Sequence, residues 1–126
     1  MSINNANNPQ LVVVPLGSIA ADGSLPALYL PKKSYIKSAA VIDQAGIAAS
    51  DTDFVQISLQ NGATVIAEMD SRAAHEGALT ALVGKSLNMV SAQQEQAAGS
   101  SLKVVYEETG TVAMTSAILV LEIYPL

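Results

Sequence analysis

This chain of 126 residues has no cysteine, no tryptophan, one phenylalanine and one histidine. Each shortage closes a class of chemistry. Without cysteine there are no disulfides, no thiolate metal sites and no cysteine nucleophile. One histidine is too few for a cupin-like metal centre, which draws on several imidazoles. That residue, His75, lies between Ala74 and Glu76 in a polar stretch. No nucleophile elbow or other signature of a Ser-His-Asp arrangement accompanies it. Basic residues are scarce as well: six Lys and Arg against eleven Asp and Glu leave a net charge of −5. Lys32, Lys33 and Lys37 form the only basic cluster. Nucleic acid requires a basic face to displace its counterions, and none is available here or for an anionic membrane surface. No apolar run approaches a membrane span, and MSINNANNPQ lacks the basic start of a signal peptide. Gly77, Gly84, Gly99 and Gly110 are isolated, so no phosphate-cradling loop is expected.

What is present is apolar but small. Half of the residues are hydrophobic, enough for one ordinary core and too many for a disordered chain. Alanine is the commonest residue, and most of the bulk is Val, Ile and Leu. Such side chains suit closely spaced sheets rather than a pocket floored by aromatic rings.

The most informative stretch is DFVQISLQ-NG-ATVIAEMD, from Asp53 to Asp70. Val55, Ile57 and Leu59 alternate with polar residues, and period-two alternation resumes after Asn61-Gly62. Two alternating runs around Asn-Gly predict a β-hairpin. A three-residue loop, Gln60-Asn61-Gly62 with Gly62 left-handed, would set Val55, Ile57 and Leu59 opposite Ala67, Val65 and Ala63. That register gathers the apolar residues on one face, and a one-residue slip would undo it.

The rest reads as short strands between turns. Residues 1–10, with four Asn, cannot build a core and read as an arm or tail. Leu11-Val12-Val13-Val14 is a strand apolar on both faces, stopped at an edge by Pro15. Leu16–Ala21 is a second short strand candidate. Leu25–Leu30, bracketed by prolines, belongs at an edge. In Ser34–Asp43, strict alternation puts Tyr35, Ala39 and Val41 on one face and Ile36, Ala40 and Ile42 on the other. Ser71–Gly77 is polar and irregular. Lys85–Val90 is a strand candidate, and Ser91–Gln94 has capping-box spacing for a short helix or lies in a loop. Leu102, Val104 and Tyr106 share one face of a strand, with Lys103 and Glu107 on the other. In Ala117–Tyr124, Leu119, Leu121 and Ile123 share one face, and Ile118, Val120 and Tyr124 the other. A strand apolar on both faces belongs near a sheet centre or against another subunit. Roughly seven to nine short strands and almost no helix predict an all-β fold, an antiparallel β-sandwich or barrel.

Two carboxylate groupings are candidates for chemistry. Asp51, Asp53, Glu68 and Asp70 would lie near the open end of the hairpin and offer hard oxygen ligands to Ca²⁺, but EF-hand spacing is absent. Glu107 and Glu108 are adjacent in a strand and so point to opposite faces, which spoils a paired acid/base. The expectation is of no catalytic residue, no metal and no cofactor. Of the tyrosines, Tyr29, between prolines, is the one expected to be exposed.

The Asn-rich arm running into LVVVPLGSIAADGS, the Ala/Val-rich body and the closing TGTVAMTSAILVLEIYP resemble the small decoration, or cement, proteins of tailed-bacteriophage capsids. The resemblance implies a jelly-roll sandwich that binds the outer surface of an assembled capsid, commonly as a homotrimer, and locks neighbouring capsomers together. Its implied partners are the major capsid protein and further copies of itself, and its implied location is the virion. A fibre-tip or carbohydrate-binding β-sandwich module is the alternative, opposed by the lack of tryptophan. The expected organisation is an extended N-terminal arm, 1–14, and a β-sandwich domain, 15–126. The contact residues expected from the two-faced strands are Leu11, Val12, Val13, Val14, Ile118, Val120 and Tyr124.

Overall fold

The computed structural model describes residues 9–126. Ten strands run through them: β1 Gln10–Ile19, β2 Gly23–Leu30, β3 Ser34–Ile42, β4 Phe54–Asn61, β5 Thr64–Asp70, β6 Lys85–Ser86, β7 Asn88–Met89, β8 Glu95–Gln96, β9 Ser100–Thr109 and β10 Met114–Pro125. One sheet has the order β1-β10-β3-β6, with β8 also on β3; the other has the order β2-β9-β4-β5-β7. Every pairing is antiparallel. The first two strands pair with the last two, β1 with β10 and β2 with β9, and the chain crosses between sheets at nearly every turn. That wrapping is the jelly roll.

The core lies between the sheets. Val14, Ile36, Ala39, Val41, Leu119, Leu121 and Ile123 enter it from the first sheet. Val55, Ile57, Leu59, Ala67, Met69, Leu102 and Val104 meet them from the second. As expected, β10 is central, with β1 on one side and β3 on the other.

The boundary expected at residue 14 is not where the strand ends. Leu11–Val14 belong to β1, which continues through Pro15 to Ile19 and pairs with β10 of the same chain. An edge strand tolerates proline when the missing N–H would face outward. Gly17, at φ +67°, marks the irregularity that carries the strand on, so Leu16–Ala21 contributes no separate strand. The arm-and-domain division therefore gives way to a strand that is part of the sandwich from Gln10 onward. Expectations for residues 1–8 lie outside the described residues.

In β3 strict alternation fails. The register steps from Glu122↔Ser38 to Ile123↔Ile36, leaving Lys37 as an extra residue. A bulge of this kind reverses the inside–outside sense of everything beyond it. Ile36, Ala39 and Val41 are consequently buried together, while Tyr35 and Lys37 are exposed.

The central hairpin forms, with a different loop and register. The turn is Gly62-Ala63, closed by the pair Asn61↔Thr64, and Gly62 has φ +60°. Glycine at the first position of a two-residue loop is the type II′ arrangement, whose twist matches the flanking strands. A bulge at Ile66 then sets Leu59 opposite Ala67 and Ile57 opposite Met69. Val55, Ile57 and Leu59 are buried as expected, but Ala63 is exposed in the turn and Val65 is only half-buried. Burying Ile66 and Met69 removes more apolar surface from water than burying Ala63 and Val65 would.

Candidate functional site

The sandwich has two outer faces, and they differ in chemistry. On the β1-β10-β3 face the cross-strand rows are Leu11–Glu122–Ser38, Val13–Val120–Ala40 and Pro15–Ile118–Ile42. Two of these three rows are wholly apolar. Leu11 is 73% and Val13 55% exposed, while Ile118, Val120, Ala40 and Ile42 are half-buried. At the far end Lys37 Nζ lies 5.6 Å from the centre of the Tyr124 ring. Glu122, the one acid in these rows, is engaged by Ser38 Oγ at 3.4 Å and Tyr124 Oη at 3.3 Å.

The expected contact residues therefore divide. Leu11, Val13, Ile118, Val120 and Tyr124 share the outer face. Val12 and Val14 point inward, opposite Leu121 and Leu119; Val14 is buried and Val12 packs on the core. The expectation that the whole LVVV strand needs foreign cover is corrected: its own sandwich covers one side. Sequence reasoning missed Pro15, Ala40 and Ile42 as members of the face. The available signal was the apolar character of both faces of β3.

On the β9-β4-β5 face the rows are polar: Glu107–Gln56–Asp70, Val105–Ser58–Glu68 and Lys103–Gln60–Val65. With Asn88 of β7 and the loop carrying Arg72, His75 and Glu76, all of these but Lys103 line an open groove of about 450 Å³. Arg72 shapes its wall. Its Nε donates to Asp70 Oδ2 at 2.9 Å and its Nη2 to the same oxygen at 2.6 Å. Its backbone N–H donates to Asp70 Oδ1 at 2.9 Å, and its guanidinium lies 4.5 Å from the centre of the Phe54 ring. Burial on its own would raise the Asp70 pKa. The hydrogen bonds from the Arg72 side chain and backbone, with the nearby charges of Arg72 and His75, outweigh it and hold that carboxyl below its ordinary value. The same partnership raises Arg72.

The carboxylates expected to gather at the hairpin do not form a ligand set. Asp70 is committed to Arg72, and Asp53 Oδ1 accepts the Thr111 N–H at 2.9 Å. Among the described residues no group of three or more His, Asp or Glu is placed to hold a metal ion. His75 is exposed at the groove's rim. Glu107 lies on the outer face, while Glu108 donates its backbone N–H to Asp22 Oδ1 at 2.7 Å. Tyr29 is 61% exposed, as its flanking prolines suggested.

No protein-family model matches this chain, and no curated protein matches it in sequence. Solved structures do match. A chain of the cyanophage Pam1 capsid asymmetric unit aligns over 94% of this chain and 86% of its own length, with a TM-score of 0.59 at 10% identity. What the two share is the fold. Structures of infectious bursal disease virus, Gt and Gx strains, align over 92% and 94% of this chain. They cover 32% and 37% of those chains, with TM-scores of 0.40 and 0.33 at 10% and 11% identity.

Proposed function

We propose that this chain is a structural virion protein. It binds the outer surface of an assembled phage capsid and stabilises contacts between capsomers, without catalytic activity. The observation that carries the reading is the end-to-end match with the cyanophage capsid chain. Nearly the whole of both chains takes part, so the likeness extends over the entire sandwich. The outer face of Leu11, Val13, Ile118 and Val120 supplies what attachment needs: apolar surface on rigid strands. The partner on this reading is the major capsid protein.

Co-sedimentation with tailed-phage capsids, cyanophage particles among them, tests it, with cryo-electron microscopy of the pellet. Density for the sandwich on the outside of the shell is the expected result. A chain that stays in the supernatant with every capsid, under conditions where it is folded, overturns the reading.

A carbohydrate-binding module is the second reading, and one observation favours it. Gln56, Ser58, Gln60 and Asn88 bring amides and hydroxyls to an open groove, the kind of donors and acceptors that sugar hydroxyls use. A glycan array separates the two. Binding that is lost on Gln56→Ala with Asn88→Ala would support the module and not the capsid protein.

A further inference from the structure

The free edge of β1 has a definite hydrogen-bonding phase, and Pro15 sets it. Proline has no N–H, so within a paired strand it occupies a position whose backbone groups point away from the partner. Pro15 pairs with Ile118, Val13 with Val120 and Leu11 with Glu122, all at the same phase of the ladder. The N–H and C=O groups of Leu11 and Val13 therefore point to the open side of β1. Among the described residues no strand pairs with that side.

The other long edge is interrupted near its middle, whereas this one is regular from Gln10 to Val14. β2 carries Pro26 and an irregularity between Pro26 and Leu28. β1 offers five residues, 10–14, with regular pairing, no charge and two exposed apolar side chains. An apolar edge of that kind is a template for another strand. The interior is also unsealed there. A cleft of about 440 Å³, lined by Val12, Leu28, Leu30 and Ile123, opens beside the start of β1.

We infer that β1 pairs antiparallel with β1 of a second copy of this chain, across a two-fold axis through Val12. In that register Leu11 faces Val13 of the partner, and Val13 faces Leu11. Each of those pairs exchanges two backbone hydrogen bonds from the groups Pro15 leaves outward. Leu11 and Val13 of both copies come together on one face, and Val12 meets its counterpart on the other. The prolines make the match self-limiting: Pro9 falls opposite Pro15, and neither donates. A strand that fits must therefore be short, uncharged and apolar at alternate positions, and β1 itself meets each condition. A two-fold contact of this type closes on itself. It yields an even-numbered assembly, not the trimer that the sequence resemblance implies.

Sedimentation velocity across a concentration series tests this, with amide hydrogen exchange on the wild-type chain. The expected result is a dimer whose Leu11 and Val13 amides become protected as concentration rises. Val13→Pro removes the outward N–H, along with the valine side chain, and should raise the dissociation constant by about tenfold or more, with unchanged circular dichroism. A wild-type chain that is monomeric or trimeric throughout overturns the inference, as do freely exchanging Leu11 and Val13 amides in the associated form. If Val13→Pro fails to fold, the wild-type exchange data decide alone. Capsid co-sedimentation is read separately: a monomer that still binds capsids ends the pairing and leaves the capsid reading standing.

Discussion

Asp43, just past the end of β3, holds Thr115 of the neighbouring strand β10: its buried Oδ1 accepts the Thr115 N–H at 2.8 Å, while Oδ2 accepts the Gly46 N–H at 2.8 Å. One carboxylate thus ties the loop after β3 to the start of β10. The Asp43 C=O also accepts the Leu82 N–H at 2.9 Å, adding the loop before β6. Asp43→Asn keeps the size and turns one acceptor into a donor facing a donor. The expected loss is about 1–3 kcal/mol, read as a lower urea midpoint. An unchanged midpoint would show that these bonds contribute nothing net.

Turn geometry makes a second test. Gly62 has φ +60°, and an added Cβ there would meet nothing within 4 Å. Gly62→Val should cost about 1–2 kcal/mol from backbone strain alone. Gly110, at φ +80°, is different: an added Cβ would collide with Asp53 Oδ1 and lie 2.7 Å from Thr52 O. Gly110→Ala should therefore cost more than Gly62→Ala in the same denaturation assay. Equal losses would mean that the turn at Gly110 yields without strain.

Stability should fall in acid through Asp70. Its carboxyl titrates lower in the folded chain than in the unfolded one. The resulting stabilisation is complete above the unfolded value, about 3.9, and is lost as pH falls through the folded value. Asp70→Asn should flatten that part of the stability–pH curve and lower stability at neutral pH. A mutant curve parallel to the wild type below about pH 4 would count against this.

Deleting residues 2–14 should unfold the chain or nearly so. The deletion removes Val14, 4% exposed, and the half-buried Val12, each contributing up to about 1.5–3 kcal/mol by burial. It also strips β10 of much of its β1 ladder. Circular dichroism and thermal melting would read it. A truncated chain that melts like the wild type would return Leu11–Val14 to the status of a dispensable arm.

Attachment has its own probe. Val120 is half-buried on the outer face, between Val13 and Ala40. Val120→Lys should leave the fold intact and sharply reduce co-sedimentation with capsids. Attachment at wild-type level would move the contact to the polar face of β4, β5 and β9.

The sequence by itself determined the class of structure and most of its inward faces. Alternation in Val55–Leu59, Leu102–Tyr106 and Leu119–Ile123 is a local property, because successive side chains of a strand leave on opposite sides wherever the strand lies. The two apolar faces of β10 likewise announced a central strand. Bulges and partners were decided only by the tertiary structure. Lys37 and Ile66 are extra residues only in relation to the strands paired with them, where the register steps by one. The inward turn of Val12 and Val14 has the same origin: β10 lies beside β1 in the sheet, and Leu119 and Leu121 lie opposite them. A pairing between residues more than a hundred positions apart leaves no periodic trace in either strand. Their side chains show only that something must cover them, and the fold selects what does.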